Sequence, residues 1–347
     1  MCPACPGDLS QKGWIIKMEL KFRPMEVSDI RELLPWHLLR PDLACESLPL
    51  EQYLWKDFYH IEYAVADERA LLMKMTWNGR QLASLPICRE EDMAYYFQVQ
   101  RTYFHEKLGI PMNVCLADEA GLACLHLDPA EFAVYEAENA ADYVYNVKDL
   151  QELKGRRYHT QKGHVNHFVK HYPGRYEYRT LTEADKCLIC EYLERWASSK
   201  GADMSREPLK SEVAGTFRVI KHLGAADART AGIFVDGRLE AFTIGSYNPQ
   251  TRMVIVHVEK ANSEINGLYP FINQQFLLRE FPGAELVNRE DDAGQLSLRA
   301  AKQEYHPVMM VKKYTIVERC AEGAYAELAG GRKAEKRNKK AVGGNLH

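Results

Sequence analysis

Two dipeptides, Asn78-Gly79 and Asp236-Gly237, constrain the fold of this chain more than any other feature of its sequence. Each stands between two apolar-rich runs, Ala70 to Met75 and Gln81 to Ile87 around the first, Thr230 to Val235 and Leu239 to Gly245 around the second. Asn-Gly and Asp-Gly adopt the positive φ values that a two-residue turn demands, so each pair of runs predicts an antiparallel hairpin. Trp77-Asn78-Gly79-Arg80-Gln81-Leu82-Ala83 aligns with Val235-Asp236-Gly237-Arg238-Leu239-Glu240-Ala241, 158 residues further on, and a similar order of helix and strand patterns follows both. The expectation is an α/β chain with mixed sheets, built from two copies of one unit with helices on both faces.

Length agrees, because 347 residues exceed what one hydrophobic core usually serves. The expected domains are 18–173 and 174–319. A leader at 1–17 carries Cys2 and Cys5, and a basic tail at 320–347 includes Arg332, Lys333, Lys336, Arg337, Lys339 and Lys340. Nine cysteines in a chain without an apolar signal core point to reduced thiols. Cys187 and Cys190 fall in a predicted helix, Thr182 to Lys200, as small core residues. No apolar run approaches the roughly 18 residues of a membrane helix. The expected location is cytoplasmic, with peripheral contact to an anionic membrane open to the tail.

The net charge of -3 conceals an acidic first 150 residues, with 14 Lys and Arg against 24 Asp and Glu, and a basic remainder, with 31 against 24. The basic part starts after an aromatic strand, Asp142 to Val147, in a predicted helix carrying Lys154, Arg156, Arg157, His159, Lys162, His164 and Asn166. Unpaired N–H groups at a helix start, together with the helix dipole, favour phosphate there, and the side chains add charge. The same pattern fits a solvated basic face above the apolar stripe Val165, Phe168, Val169 and Tyr172. His164, His167 and His171 share a helix face at metal-ligand spacing, but no carboxylate or cysteine completes a set, and phosphate contact fits them equally.

A second cluster follows Gly283. The strand Glu285 to Arg289 ends in Glu290, Asp291 and Asp292, and the helix from Gln295 to Tyr305 places Arg299 and Lys302 on one face with Tyr305 close by. Carboxylates at a strand end beside Lys and Tyr can orient an amine, take its proton and stabilise a developing oxyanion. Asp291 and Asp292 serve equally well as caps for that helix. One last strand is expected over Val308 to Val317.

Asp142-Tyr143-Val144-Tyr145 with Leu153, Gly155, Arg156, Arg157, Tyr158 and His159 forms one motif block; Asn288-Arg289-Glu290, Asp292 and Gly294 with Leu298, Arg299, Lys302, Tyr305 and Pro307 forms another. Together they resemble the phosphatidylglycerol lysyltransferase C-terminal domain family, over about Met18 to Val317. That family is similar to the Fem-type aminoacyltransferases, and its fold is two GNAT-like (acyl-CoA N-acyltransferase-like) domains in tandem. The resemblance implies transfer of an aminoacyl group from aminoacyl-tRNA to a lipid headgroup hydroxyl or a peptide amine, with no cofactor besides the aminoacyl-tRNA donor. Arg156, Arg157, His159, Lys162, His164 and Asn166 would meet phosphates of the tRNA acceptor end. Asn288, Glu290, Arg299, Lys302 and Tyr305 would hold the aminoacyl ester. Lys302 would serve the oxyanion or the leaving ribose hydroxyl, Glu290 or Asp292 the amino acid's ammonium, and Tyr305 the leaving group.

Two other classes stay open. One is an acyl-CoA-dependent N-acyltransferase using acetyl-CoA or another acyl-CoA, although Asn262 to Gly267 holds a single Gly where a phosphate-cradling loop uses several. The other is a binding module of the same fold without catalysis.

Overall fold

The structure, a computed structural model, describes residues 18–205 and 207–322. The Cys2/Cys5 leader and the basic residues of the tail lie outside the described residues. Both halves run through one series of elements. In the first, β1 (Arg23–Pro24) leads through α1 (Asp29–Glu32), α2 (Leu34–His37) and α3 (Pro49–Trp55) to β2 (Glu62–Ala66), β3 (Ala70–Trp77) and β4 (Arg80–Ala83). Then come α4 (Met93–Tyr103), β5 (Asn113–Asp118), α5 (Glu119–Leu125), β6 (Phe132–Glu136) and β7 (Asp142–Asn146). After the connecting α6 (Val147–Glu152) and α7 (His159–His171), the second half repeats the series. It has β8 (Tyr176–Leu181), α8 (Lys186–Ser199), α9 (Leu209–Lys221), β9 (Arg229–Val235), β10 (Arg238–Asn248) and β11 (Met253–Ala261). It ends with α10 (Leu268–Glu280), β12 (Leu286–Asn288), α11 (Leu296–Gln303), β13 (Met309–Val311) and β14 (Lys313–Glu318).

The strands form two seven-stranded sheets, β1-β2-β3-β4-β5-β14-β6 and β8-β9-β10-β11-β12-β7-β13. The two orders are the same, and in each the sixth place is filled by the last strand of the other half. Ile316 of β14 sits between Val114 of β5 and Val134 of β6, and Val144 of β7 sits between Asn288 of β12 and Met309 of β13. The exchange corrects two expectations. The single strand expected over Val308 to Val317 is two strands in different sheets, parted at Lys312. A division at residue 173 would also separate β7 and α7 from the sheet and core to which they belong.

Both hairpins are present, with positive φ at Asn78, Gly79, Asp236 and Gly237. They are not equivalent, however. Asn78-Gly79 joins the third and fourth strands of its sheet, Asp236-Gly237 the second and third. The counterpart of Asp236-Gly237 is the turn from Asp67 to Arg69, where Asp67 and Glu68 take φ of 49° and 55° without a glycine to signal it. The repeat is real, and its register lies one hairpin away from the sequence alignment.

The central strands β10 and β11 are buried nearly throughout, as expected of a sheet covered on both faces. Alternate side chains of β9 show the two layers: Phe234 joins α8 and α9, whereas Ala231, Ile233 and Val235 join α6, α7 and α10. The first of these cores is shared between the halves, since Leu50, Tyr53 and Leu54 of α3 pack with Ile189, Leu193, Val219 and Phe242. α3 and α9 cross in backbone contact, and a Cβ at Gly215 would stand 2.1 Å from the Leu54 carbonyl oxygen. Cys187 is exposed, which corrects its expected place in the core, whereas Cys190, half-buried, packs against that core; the inward face of α8 is Ile189, Tyr192, Leu193 and Trp196. Among the described residues no helix is long and apolar enough to cross a membrane.

Candidate active site

β11 and β12 run parallel for three pairs, Met253 with Leu286, Val254 with Val287 and Ile255 with Asn288, and part beyond them. Parallel strands that diverge at their carboxyl ends leave a fork, the place where α/β sheets hold ligands. Arg289 and Glu259 bridge it with an ion pair of 2.9 Å, and Asn273 of α10 donates to the other Glu259 oxygen at 3.0 Å. The Tyr305 ring lies 4.9 Å from the Arg289 guanidinium.

Glu290 follows with φ of +60°, a left-handed conformation that a non-glycine residue holds only when its surroundings impose it. Its Oε1 is 3.5 Å from His257 Nδ1, and that nitrogen donates to Glu51 Oε2 at 2.8 Å. His257 and Glu51 are buried, whereas the Glu290 side chain keeps 23% of its exposure. Burial and the neighbouring Glu51 charge push the Glu290 carboxyl up to about 8, against the opposing pull of His257. Burial lowers His257, but the two carboxylates outweigh it and bring the ring to about 9. A carboxyl that titrates near working pH can both accept and return a proton.

Lys302 is buried, and its ammonium donates to the carbonyls of Arg289 (2.6 Å), Glu290 (3.1 Å) and Asp291. An ammonium has three N–H groups, and all three are engaged. Lys302 therefore staples the turn that presents Glu290, which corrects the expectation that it faces an oxyanion. Asn288 is likewise internal: its amide nitrogen donates to Asp142 Oδ2 and to the Leu43 carbonyl, both at 2.9 Å, and its oxygen accepts the Glu290 N–H at 2.6 Å. Asp292 accepts Arg299 Nε at 2.7 Å, Tyr143 OH at 2.6 Å and the Gly294 N–H at 2.8 Å. The Arg299 bond leads in holding its carboxyl down to about 2. Arg299 reaches on to Asn139 at 3.0 Å. Asn288 and Asp292 thus shape the turn, correcting their expected substrate contacts, and Arg299, with a third of its side chain exposed, holds Asp292. Tyr305 stays half-buried, and burial pushes its hydroxyl up to about 12, so it remains a proton donor near neutral pH.

The basic block meets the segment that follows α11. Gln161 Nε2 donates to the Glu304 carbonyl at 3.0 Å, His306 Nε2 to the Arg157 carbonyl at 2.9 Å, and the Tyr158 and His306 rings are 5.6 Å apart. Two motif blocks far apart in sequence are therefore one surface. The positive φ at Leu153 and Gly155 ends α6, and a 3-10 turn over 156–158 precedes α7, so Lys154, Arg156 and Arg157 lie ahead of the helix rather than in it. Arg156, His159, Lys162 and Asn166 are exposed. Arg157 bonds Asp149 at 2.7 Å and His164 bonds Asn266 at 3.1 Å. The His167 and His171 rings stack at 3.8 Å. Side chains whose metal-ligating atoms do gather are Glu51, His257 and Glu290, and Cys45, Glu46 and Asp142. Lys313 Nζ lies within the second group, 2.8 Å from both Asp142 and Glu46 and 3.2 Å from Cys45 Sγ.

The sequence profile of the family described as phosphatidylglycerol lysyltransferase, C-terminal, matches residues 49–317. The chain belongs to that family. Its fold, two mixed seven-stranded sheets of the same strand order, is shared with the solved structures that follow. An uncharacterized protein of Mycoplasmoides gallisepticum is 23% identical over 186 residues, a match spanning 53% of this chain and 58% of that one. A solved Bacteroides thetaiotaomicron protein of unknown function superposes with a TM-score of 0.78 at 24% identity, covering 87% of this chain and all of the other. L-PGS from Bacillus licheniformis gives 0.58 at 11% identity over 83% and 91% of the two chains. FemX gives 0.58 at 9% over 89% and 99%. The lysyltransferase family fold is thus present over most of the described chain.

Proposed function

We propose that this protein moves an aminoacyl group from aminoacyl-tRNA to a hydroxyl of a lipid headgroup, in the fork between β11 and β12. The observation that carries this reading is Glu290, a carboxyl raised to about 8 whose turn is stapled by Lys302 of α11, while the exposed basic surface joins the segment after the same helix through Glu304 and His306. The donor ester is already activated, so the site has to position two reactants and move one proton. The acceptor oxygen attacks the ester carbonyl while Glu290, as carboxylate, takes its proton. The bond to the ribose oxygen then breaks, and the proton returns to that oxygen, with the Tyr305 hydroxyl as hydrogen-bond donor. Asp291, half-buried beside Glu290, is the carboxylate left to meet the amino acid's ammonium, because Asp292 is fully engaged. Arg156, His159 and Lys162 hold phosphates of the tRNA acceptor end.

The stretch that carries Lys302 and Tyr305 also exposes Leu296 (77%), Leu298, Val308, Met309 and Met310, which favours a lipid over a peptide as acceptor. The acyl-CoA reading is disfavoured at the start of α10, the helix that follows the fourth strand. A Cβ at Gly267 would lie 2.0 Å from the His164 carbonyl oxygen, so α7 brings an acceptor, which repels phosphate, close to the start of this helix.

The test is label transfer from a mixture of radiolabelled aminoacyl-tRNAs to phosphatidylglycerol vesicles, with acetyl-CoA and a peptide amine as competing partners. Label in the lipid fraction that disappears in Glu290→Gln is the expected result. Label passing only from acetyl-CoA, or only to the peptide, overturns the reading.

A further inference from the structure

We infer that Glu51 and His257 are positioning residues for Glu290, so that the proton-handling carboxyl of the second half's fork is held in place from the first half. The inference rests on Glu290 as the proton acceptor of the transfer proposed above. Glu51 rides on α3, a helix fixed by the core common to both halves and by its backbone contact with α9. His257 lies at a bulge of β11, passed over where Ile244 and Gly245 of β10 pair with Val258 and Val256, two residues beyond Ile255, which packs with Met253, Cys45 and Leu48. Its side chain is wholly buried, and its Nδ1 faces both carboxylates, 2.8 Å from Glu51 and 3.5 Å from Glu290.

One ring nitrogen carries one N–H. It is directed at Glu51 at 2.8 Å, and the buried Oε1 of Glu290 stands beside the same nitrogen at 3.5 Å. Glu290 is thereby oriented through its buried oxygen, and a substrate proton reaches the carboxyl from the part of the side chain that keeps its exposure. The charged groups facing it are Glu51 from α3, His257 from β11, Lys302 from α11 and the adjacent Asp291. Glu51 and His257 act on Glu290 with opposite sign, and a role confined to packing would not.

Carboxyl-carbon NMR of the full chain, labelled at glutamate, tests this, with the Glu290 signal assigned by its loss in Glu290→Gln. Glu51→Gln removes a like charge and moves the Glu290 midpoint down by about one pH unit, whereas His257→Gln removes a cation and moves it up by a similar amount. Glu51→Asp keeps the charge and the wild-type midpoint. Equal midpoints in wild type, Glu51→Gln and His257→Gln, or shifts in the same direction, overturn the inference. Should Glu51→Gln fail to melt cooperatively, His257→Gln against Glu51→Asp decides. The pH profile of transfer, measured on the same variants, separates the two readings. Midpoints that move as expected while transfer is absent or ignores them uphold the coupling and refute the proposed function.

Discussion

Asp142 Oδ1 and Lys313 Nζ lie 2.8 Å apart with both side chains wholly buried, and each residue opens the strand that its half gives to the other's sheet. Lys313 also reaches Glu46 and Cys45, while the Cys45 N–H (2.7 Å) and Asn288 complete the shell of Asp142. The two exchanged strands are thus joined at their first residues, and the same Asp142 shell supports Asn288 at the base of the fork.

Breaking this pair strands a charge in the interior. Asp142→Asn and Lys313→Met are each expected to cost about 3–5 kcal/mol of stability, and the double variant less than the sum. Urea unfolding of the three variants measures it.

Glu290 sets a pH dependence of stability. Its folded carboxyl titrates near 8, above the ~4.3 of an unfolded chain. Between those values the folded state binds more protons, so stability falls as pH rises through the window. Glu290→Gln is expected to melt above the wild type at pH 8, by the equivalent of about 1 kcal/mol or more, and near it at pH 5. Asp292 has the opposite sign: held at about 2, it contributes stability above pH ~4 that is lost as pH falls through its folded value. Calorimetry from pH 2 to 9 reads both.

Lys302→Met leaves three carbonyls of a packed turn without their donor. A loss of about 2–4 kcal/mol in stability is expected together with a rise in KM, because the turn that presents Glu290 loosens. A fall in kcat at unchanged melting temperature and KM would restore the oxyanion role. Melting curves and steady-state kinetics on one preparation distinguish these outcomes.

The basic surface is read through salt. Arg156→Ala with Lys162→Ala is expected to reduce the slope of log binding constant against log salt for tRNA by about 1.4, the value for two lost phosphate contacts. Arg157→Ala changes the slope less, since its guanidinium is already paired with Asp149. Fluorescence titrations at four salt concentrations supply the slopes.

Much of the architecture was legible because its signals are local. Asn78-Gly79 and Asp236-Gly237 mark their turns, Gly109 ends the helical segment before β5 in a left-handed conformation, and the apolar runs of β9 and β10 stand out. The exchange of β7 and β14 was not legible. Each is a short apolar strand following another by a few residues, and nothing in such a pattern states which sheet accepts it. Pro49 at the first position of α3 was a readable helix start, but a helix start does not say that Glu51 crosses to the other half. His257, alternating with Val256 and Val258, reads from sequence as a core histidine. Lys302 and Asp292 drew attention as charged residues beside a strand end, and their engagement with the turn backbone and with Arg299 depends on distances that spacing does not encode.

The order of synthesis gives the strand exchange a further meaning. A ribosome delivers β1 to β6 long before β14, yet the sheet they form keeps an open seam between β5 and β6 until residue 318 has emerged. The first half therefore cannot finish folding as it leaves the exit tunnel, and its unpaired strand edges stay available to other chains throughout synthesis. Maturation runs backwards along the chain, with the half made last closing the half made first.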